Sequence, residues 1–360
     1  MLTSYRAIAE VPDLVAPEGG TATACTPGRG PKVTRLRFDR GHKARSLMWS
    51  GDSLVDAAGG QASVALDGTT KPSSVNWAFD FDRAVAAPSG LRALYTALGT
   101  KGLVATSRHH VREVNRSYYH ANAYEYPLAV GALADGTEVL AHCPDGYNRL
   151  RIETLARGER LCTATENALD VFHSRLRFSP DGRYLLSAGW VRRPAGVAAV
   201  YDTAEALAEP RHLDGAGVIP QGSMAGHVDA ACWLSPELLA VSTDHEEGPL
   251  DNDSDGLAPG QLGVWSFRED AWVARHVSQG HTGTMHAVGR YLLCLFDHPR
   301  LVDPMTAQVV EEWPELKTGR QVGSIIWHLP EPVPPFALDP VRRRFAVAHK
   351  DVVSVVELDQ

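Results

Sequence analysis

Two stretches of the sequence combine residue types and spacing that could do chemistry. The first is Asp244-His245-Glu246-Glu247-Gly248-Pro249-Leu250-Asp251-Asn252-Asp253-Ser254-Asp255-Gly256, in which six of thirteen residues are Asp or Glu. Asp251, Asp253 and Asp255 followed by Gly256 match the first half of a calcium loop: alternate side-chain oxygens converge on one hard cation, and Gly permits the sharp turn. Leu262 occupies the twelfth position, where such a loop carries a bidentate Glu. Calcium is therefore the one cofactor to consider, against the plainer reading of a solvated acidic loop between two strands.

The second is Arg116-Ser117-Tyr118-Tyr119-His120-Ala121-Asn122-Ala123-Tyr124-Glu125-Tyr126, with four Tyr, one His and one Asn in eleven residues. Tyr supplies a large rigid contact area with a polar tip, which suits a binding surface. Tyr118, Tyr119, His120 and Tyr124 are accordingly candidate rim contacts. Trp190 and Arg192, in Trp190-Val191-Arg192-Arg193-Pro194, join them, because Trp and Arg are favoured where binding energy concentrates. The competing reading of both segments is packing: a half-buried Tyr-rich outer strand and a Trp lying on a sheet edge. Fifteen His are scattered along the chain. Those at His109, His110, His142, His173, His286 and His328 would share a site only if the fold brought them together. No His-Glu-x-x-His, Gly-x-Ser-x-Gly, Walker or dinucleotide fingerprint is present, so no catalytic residue is named.

What must position these residues is a repeat. Leu176-Arg177-Phe178-Ser179-Pro180-Asp181-Gly182-Arg183-Tyr184-Leu185-Leu186 reads as strand, Ser-Pro-Asp-Gly turn and strand: Pro presets φ, and Gly accepts the positive φ that closes the turn. Degenerate copies are centred near 52, 100, 135, 236, 289 and 341. Further strand pairs follow them, as in Val197-Ala198-Ala199-Val200-Tyr201 and Leu262-Gly263-Val264-Trp265-Ser266-Phe267. Seven units of about four short strands predict an all-β chain: a single seven-bladed β-propeller of four-stranded antiparallel blades. The approximate blades are 41–90, 91–126, 127–170, 171–225, 226–279, 280–322 and 323–360. The last runs out of residues after three strands, so Lys32-Val33-Thr34-Arg35-Leu36-Arg37-Phe38 is expected to complete it, pairing the two termini and removing an open sheet edge.

Gly-His dipeptides at Gly41-His42, Gly226-His227 and Gly280-His281, with Trp49 and Trp233 following the first two, make the chain resemble the WD-repeat β-propeller family as a divergent, bacterial-type member. The resemblance implies that His227, Ser242 or Thr243, Asp244 and Trp265 form the family's structural hydrogen-bond set in blade five. It also implies a non-catalytic scaffold presenting a rim of loops to a protein or peptide. The alternative is a propeller enzyme with a pocket at the channel mouth, a hydrolase, lactonase or condensing enzyme of a small-molecule pathway, with a small molecule as its ligand.

The bulk composition is compatible with either. The 360 residues carry 35 Lys plus Arg against 43 Asp plus Glu, a net charge of −8, and no basic run exceeds Arg342-Arg343-Arg344, so nucleic acid and anionic membrane are not expected partners. No apolar stretch is long enough for a bilayer span and no signal-peptide pattern opens the chain, which gives the expectation of a cytoplasmic protein. The five Cys are odd in number and widely spaced, with no Cys-x-x-Cys pair; Cys232 and Cys294 lie in apolar strand-like runs and read as buried thiols, and no structural disulfide is expected.

Overall fold

The computed structural model describes residues 32–39, 41–192, 195–220, 223–245 and 256–358. Alternating apolar residues on short, Gly-punctuated segments give 28 strands among the described residues, grouped into seven antiparallel sheets. The strand β1 (Val33–Arg37) opens the described chain. Blade one holds β2 (Met48–Ser50), β3 (Ser53–Asp56), β4 (Ala62–Ala65) and β5 (Thr70–Lys71). Blade two holds β6 (Arg83–Ala86), β7 (Arg92–Tyr95), β8 (Gly102–Ala105) and β9 (His110–Glu113). Blade three holds β10 (Leu128–Ala132), β11 (Glu138–His142), β12 (Arg151–Thr154) and β13 (Arg160–Thr163). Blade four holds β14 (Val171–Phe172), β15 (Arg177–Phe178), β16 (Tyr184–Val191) and β17 (Ala195–Asp202). Blade five holds β18 (Val228–Trp233), β19 (Leu238–Thr243), β20 (Gln261–Ser266) and β21 (Ala271–Val277). Blade six holds β22 (Met285–Val288), β23 (Tyr291–Cys294), β24 (Arg300–Asp303) and β25 (Gln308–Glu312). Blade seven holds β26 (Phe336–Asp339), β27 (Arg344–His349) and β28 (Val352–Glu357), and β1 pairs with β28 to complete it.

That closure is antiparallel, from Val33 opposite Val356 to Arg37 opposite Val352. It is held by burial as well as by the ladder: Leu36 and Phe38 pack with Leu54 and Val64 of blade one and Ala346 and Val355 of blade seven. The cores of the molecule are of this kind, apolar layers pressed between blades.

Blade four departs from the pattern. Its β14 and β15 both pair with the same edge of the long β16, in line with each other, so they form one interrupted inner strand. Asp202 then caps a short helix α1 (Thr203–Ala208), its side chain accepting from the Ala204 and Glu205 amides. No fourth strand follows β17 among the described residues: the chain returns after the helix, and the Val218 amide donates to Val200 O of β17 at 2.7 Å. The Ser179–Gly182 turn forms as the sequence predicts, with the Gly182 amide donating to Ser179 O at 2.9 Å and Gly182 at φ 73°. A Cβ at Gly182 would lie 1.8 Å from Ala132 O of blade three, so the close approach of the two blades also requires glycine there. In blade two, by contrast, the expected hairpin near 100 is the connection between β7 and β8. The first turn of that blade is the unremarked Pro88-Ser89-Gly90, and β6 precedes position 91. Both connections carry glycine turns, and sequence alone does not say which comes first.

Among the described residues no helix is long and apolar enough to cross a membrane.

Candidate functional site: a bridged channel beneath an aromatic rim

In an antiparallel meander, the first and third turns of each blade lie on one face, and the second turn and the link to the next blade on the other. The inner strands begin at this second face, and two long links meet over the channel there. Residues 114–127 join blades two and three, and 313–335 join blades six and seven. Tyr124 and Ile325 form an antiparallel bridge. The Glu125 amide donates to Ser324 O at 2.9 Å, and the Ile326 amide to Ala123 O at 2.9 Å. Arg175, from the break in the inner strand of blade four, fastens this bridge. It sits at φ 45°, a left-handed backbone unusual for a non-glycine residue. Its Nε meets Glu125 Oε2 at 2.7 Å, Nη1 donates to Asp229 O at 2.9 Å and Val322 O at 3.1 Å, and Nη2 to Gly323 O at 2.7 Å. One side chain thus joins blade five and both links.

Beneath the bridge lies a cavity of about 270 Å³ walled by residues of blades two to seven and of the links, including Ser46 and Leu47 just before β2. Its charged lining is Asp82, Arg83, Glu125, Arg175 and Arg177. Arg83 lies 3.6 Å from Asp82, and Arg175 pairs with Glu125. Among the described residues His286 is the one histidine in the lining. Burial, and then Arg177 and Arg175, hold its imidazole down at about 3, so it is neutral at pH 7. Burial pushes the Tyr95 phenol in the same cavity up to about 12.

Beside the bridge runs a stack of aromatic rings. Phe172 and Trp190 are cross-strand partners of β14 and β16, and their rings lie 3.9 Å apart at 8°. Tyr147 stacks on Phe172 at 4.3 Å, and Tyr119 tilts onto Tyr147 at 4.9 Å. His120 and Tyr124 meet Phe172 edge-on at 5.8 and 5.5 Å. At the outer end, Arg192 Nε pairs with Asp170 Oδ2 at 2.6 Å and its Nη2 reaches Tyr147 Oη at 3.2 Å, while Tyr147 Oη donates to Asp170 Oδ1 at 2.6 Å. Burial and that carboxylate raise the Tyr147 phenol.

The link carrying these tyrosines is organised by Arg116, only 3% exposed. Its Nε donates to Gly99 O at 2.7 Å, Nη1 to Glu125 O at 3.1 Å, and Nη2 to Tyr124 O at 2.9 Å and also to Ala121 O. Its guanidinium lies 4.5 Å from the Tyr124 ring and 5.1 Å from Tyr126. Carbonyl dipoles and ring faces replace the carboxylate that a buried cation ordinarily has.

The fold therefore brings Tyr119, His120, Tyr124, Trp190 and Arg192 into one cluster. Tyr118 stands beside it at 84% exposure and Tyr119 is 44% exposed, but Tyr124 is 0% exposed. Tyr124 is the floor of the rim and cannot be a contact on it, because Arg116 and the stacked rings enclose it. The structural set expected in blade five is dispersed. His227 Nδ1 lies 3.3 Å from Asp244 Oδ2, but Ser242 turns to Thr282 of the next blade at 2.7 Å and Thr243 bonds Ala258 O at 2.6 Å. Trp265 is buried, and its Nε1 has no partner among the described residues. The fuller example is in blade one. There Asp56, 0% exposed, accepts from the Ser46 and Gly59 amides and Ser46 Oγ on Oδ1, and meets the Arg45 amide and His42 Nε2 on Oδ2.

Of the scattered histidines only His286 reaches the channel. His173 is buried against Ser187 Oγ, His142 is buried, and His109, His110 and His328 are exposed elsewhere. Asp251, Asp253 and Asp255 lie outside the described residues. Leu262, at the twelfth loop position, is buried in β20. Cys143, Cys162, Cys232 and Cys294 are unpaired and buried. Sequence reading gave no role to Arg116, although it opens the Tyr-rich segment, and missed Tyr147, Phe172 and Arg175, which carry no local motif.

No protein-family model matches the chain, and no curated protein matches its sequence. Its fold is that of a seven-bladed β-propeller, and it is similar to a chain in a solved structure described as the crystal structure of a mitotic checkpoint complex. That match has a TM-score of 0.57 at 12% identity and covers 99% of both chains. At such identity it shows the fold alone.

Proposed function

We propose that this protein is a non-catalytic, WD-repeat-like scaffold of the cytoplasm that presents the bridged face, around Tyr118, Tyr119, His120, Trp190 and Arg192, to a protein or peptide partner. The observation carrying the proposal is the stacked column from Trp190 through Phe172 and Tyr147 to the half-exposed Tyr119, flanked by Arg192. Tyr and Arg held rigid before binding lose little side-chain entropy on association, which is the property of an anchor. The structural neighbour belongs to a multi-protein complex, in keeping with this use of the fold. Coupled titratable groups in the channel would favour the enzyme reading. Asp82 and Glu125 instead each lie against an arginine, and His286 has no acid or base beside it among the described residues.

The test is quantitative affinity capture from the native host with the wild type and with a Tyr118→Ala/Tyr119→Ala/Arg192→Ala variant. A partner held by the wild type and lost by the folded variant supports the assignment. Equal recovery on both rules this rim out as the binding surface.

A further inference from the structure

The channel carries an inference separate from the rim. Arg177 differs from its neighbours in the cavity: Nη1 contacts Cys232 Sγ at 3.3 Å and donates to Met285 O at 3.2 Å, and no carboxylate pairs with it among the described residues. A guanidinium offers five donors in a fork that matches a carboxylate, and here the three on Nε and Nη2 have no acceptor among the described residues, in a side chain that lines the cavity. Among the described residues three arginines line the cavity with two carboxylates, which leaves one positive charge without a carboxylate. Leu47, Ala84, Leu128, Met285, Pro335 and Phe336 supply apolar wall. Apolar walls with a few convergent polar groups are the usual make-up of a small-ligand site.

We propose that the central channel binds a small organic monocarboxylate, its carboxylate held by Arg177 and its apolar body against the walls beneath the bridge. The size follows from the volume: about 270 Å³ is below the roughly 300–1,000 Å³ of pockets for drug-sized ligands. The charge follows from the lining. One uncompensated cation matches one carboxylate, whereas a phosphate monoester at about −1.5 to −2 would bring more negative charge than the lining balances. The neutral His286 adds no second cation, and the protonated Tyr95 phenol is available as a donor in the same cavity.

Calorimetry on the full chain tests this with benzoate and hexanoate as probes, benzamide as the neutral counterpart of benzoate, and inorganic phosphate. At least one carboxylate is expected to bind with a Kd below about 1 mM, benzamide at least about tenfold more weakly, and phosphate more weakly than either. Arg177→Leu is expected to weaken the carboxylate by about tenfold or more, with Arg177→Lys between it and the wild type. Should Arg177→Leu fail to fold, Arg83→Gln removes the same unit of charge from the lining and is expected to weaken benzoate likewise. Tyr119→Ala should leave the titration unchanged, so this site and the rim stand or fall separately. The proposal is overturned if neither carboxylate gives heat up to about 10 mM, if benzamide matches benzoate, if phosphate binds best, or if the folded arginine variants bind as the wild type does.

Discussion

Replacing Arg116 by Met tests whether one buried cation holds the rim. The substitution keeps the aliphatic stem and deletes donors to Gly99, Glu125, Tyr124 and Ala121 carbonyls, leaving acceptors in a site where Arg116 is 3% exposed. Hydrogen bonds from a charged donor contribute about 1.5–3 kcal/mol each, but four cannot simply be added, because the link can open and rehydrate its carbonyls. A buried carbonyl left unsatisfied costs about 1–3 kcal/mol, so with partial rehydration the net loss over the four is on the order of 3–5 kcal/mol. At about 2.1 cal/mol/K per residue, a fold of roughly 330 residues unfolds with an entropy near 0.7 kcal/mol/K, so the melting temperature should fall by about 4–7 °C. The loss is local first. Hydrogen exchange should therefore be accelerated by about 10²–10⁴ at the Gly99, Glu125 and Ile326 amides, which bond to Ala121, Ser324 and Ala123. Arg116→Lys, with one ammonium for four carbonyls, should fall between. Unchanged melting together with unchanged protection at those amides would refute the clamp.

Deleting residues 1–40 removes β1 and with it Leu36 and Phe38 from the seam between blades one and seven. Cooperative melting should be lost, since several kcal/mol of burial and a whole edge ladder go at once, and an unchanged calorimetric transition would show that the closure is dispensable. Burial holds His173 at about 4, below the ordinary value near 6.5, so the unfolded chain takes up its proton first. Its stabilising effect is complete above pH 6.5 and is lost as pH falls towards 4, on the order of 3 kcal/mol, and the folded His173→Gln variant should show a shallower fall in melting temperature over that window. Calcium on Asp251, Asp253 and Asp255 would have no bidentate carboxylate at position twelve, where Leu262 is locked in β20. Calorimetry should therefore give at most the weak 10⁻⁴–10⁻³ M class of binding, abolished by Asp251→Ala, and a micromolar Kd would refute that reasoning.

Turn chemistry and alternation were legible because they are local. Ser179-Pro180-Asp181-Gly182 announces its hairpin, and the missing strand at the C-terminus calls for Val33–Arg37. The rim was legible as composition, since Tyr-rich and Trp-Arg segments stand out. Its geometry was not: Tyr147 and Phe172 are unremarkable in sequence, and only the register of β14 on β16 and the link 143–150 stack them. Blade four hid its helix because Val197–Thr203 reads as an ordinary strand, and its helical character begins only at the Asp202 cap. Arg175 was illegible for a deeper reason. Its partners at Glu125, Asp229, Val322 and Gly323 lie up to 148 residues away, and no spacing rule encodes a contact made across a closed ring.

The two faces of the ring differ in a way that bears on where function can reside. The turns within blades on one face, such as 51–52, 133–137, 179–183 and 340–343, are two to five residues long and are consumed in reversing the chain. Links on the other face run to the 23 residues of 313–335, enough to cross the channel and pair with 123–126. A hairpin of minimal length has no residues to spare for recognition, whereas a long link held by buried arginines combines reach with rigidity. Arg116 and Arg175 supply that rigidity from within, each bonding main-chain carbonyls and so tolerating change in the side chains around it. The bridged face can therefore vary its exposed residues, Tyr118, Tyr119 and Arg192 among them, while the scaffold beneath stays fixed.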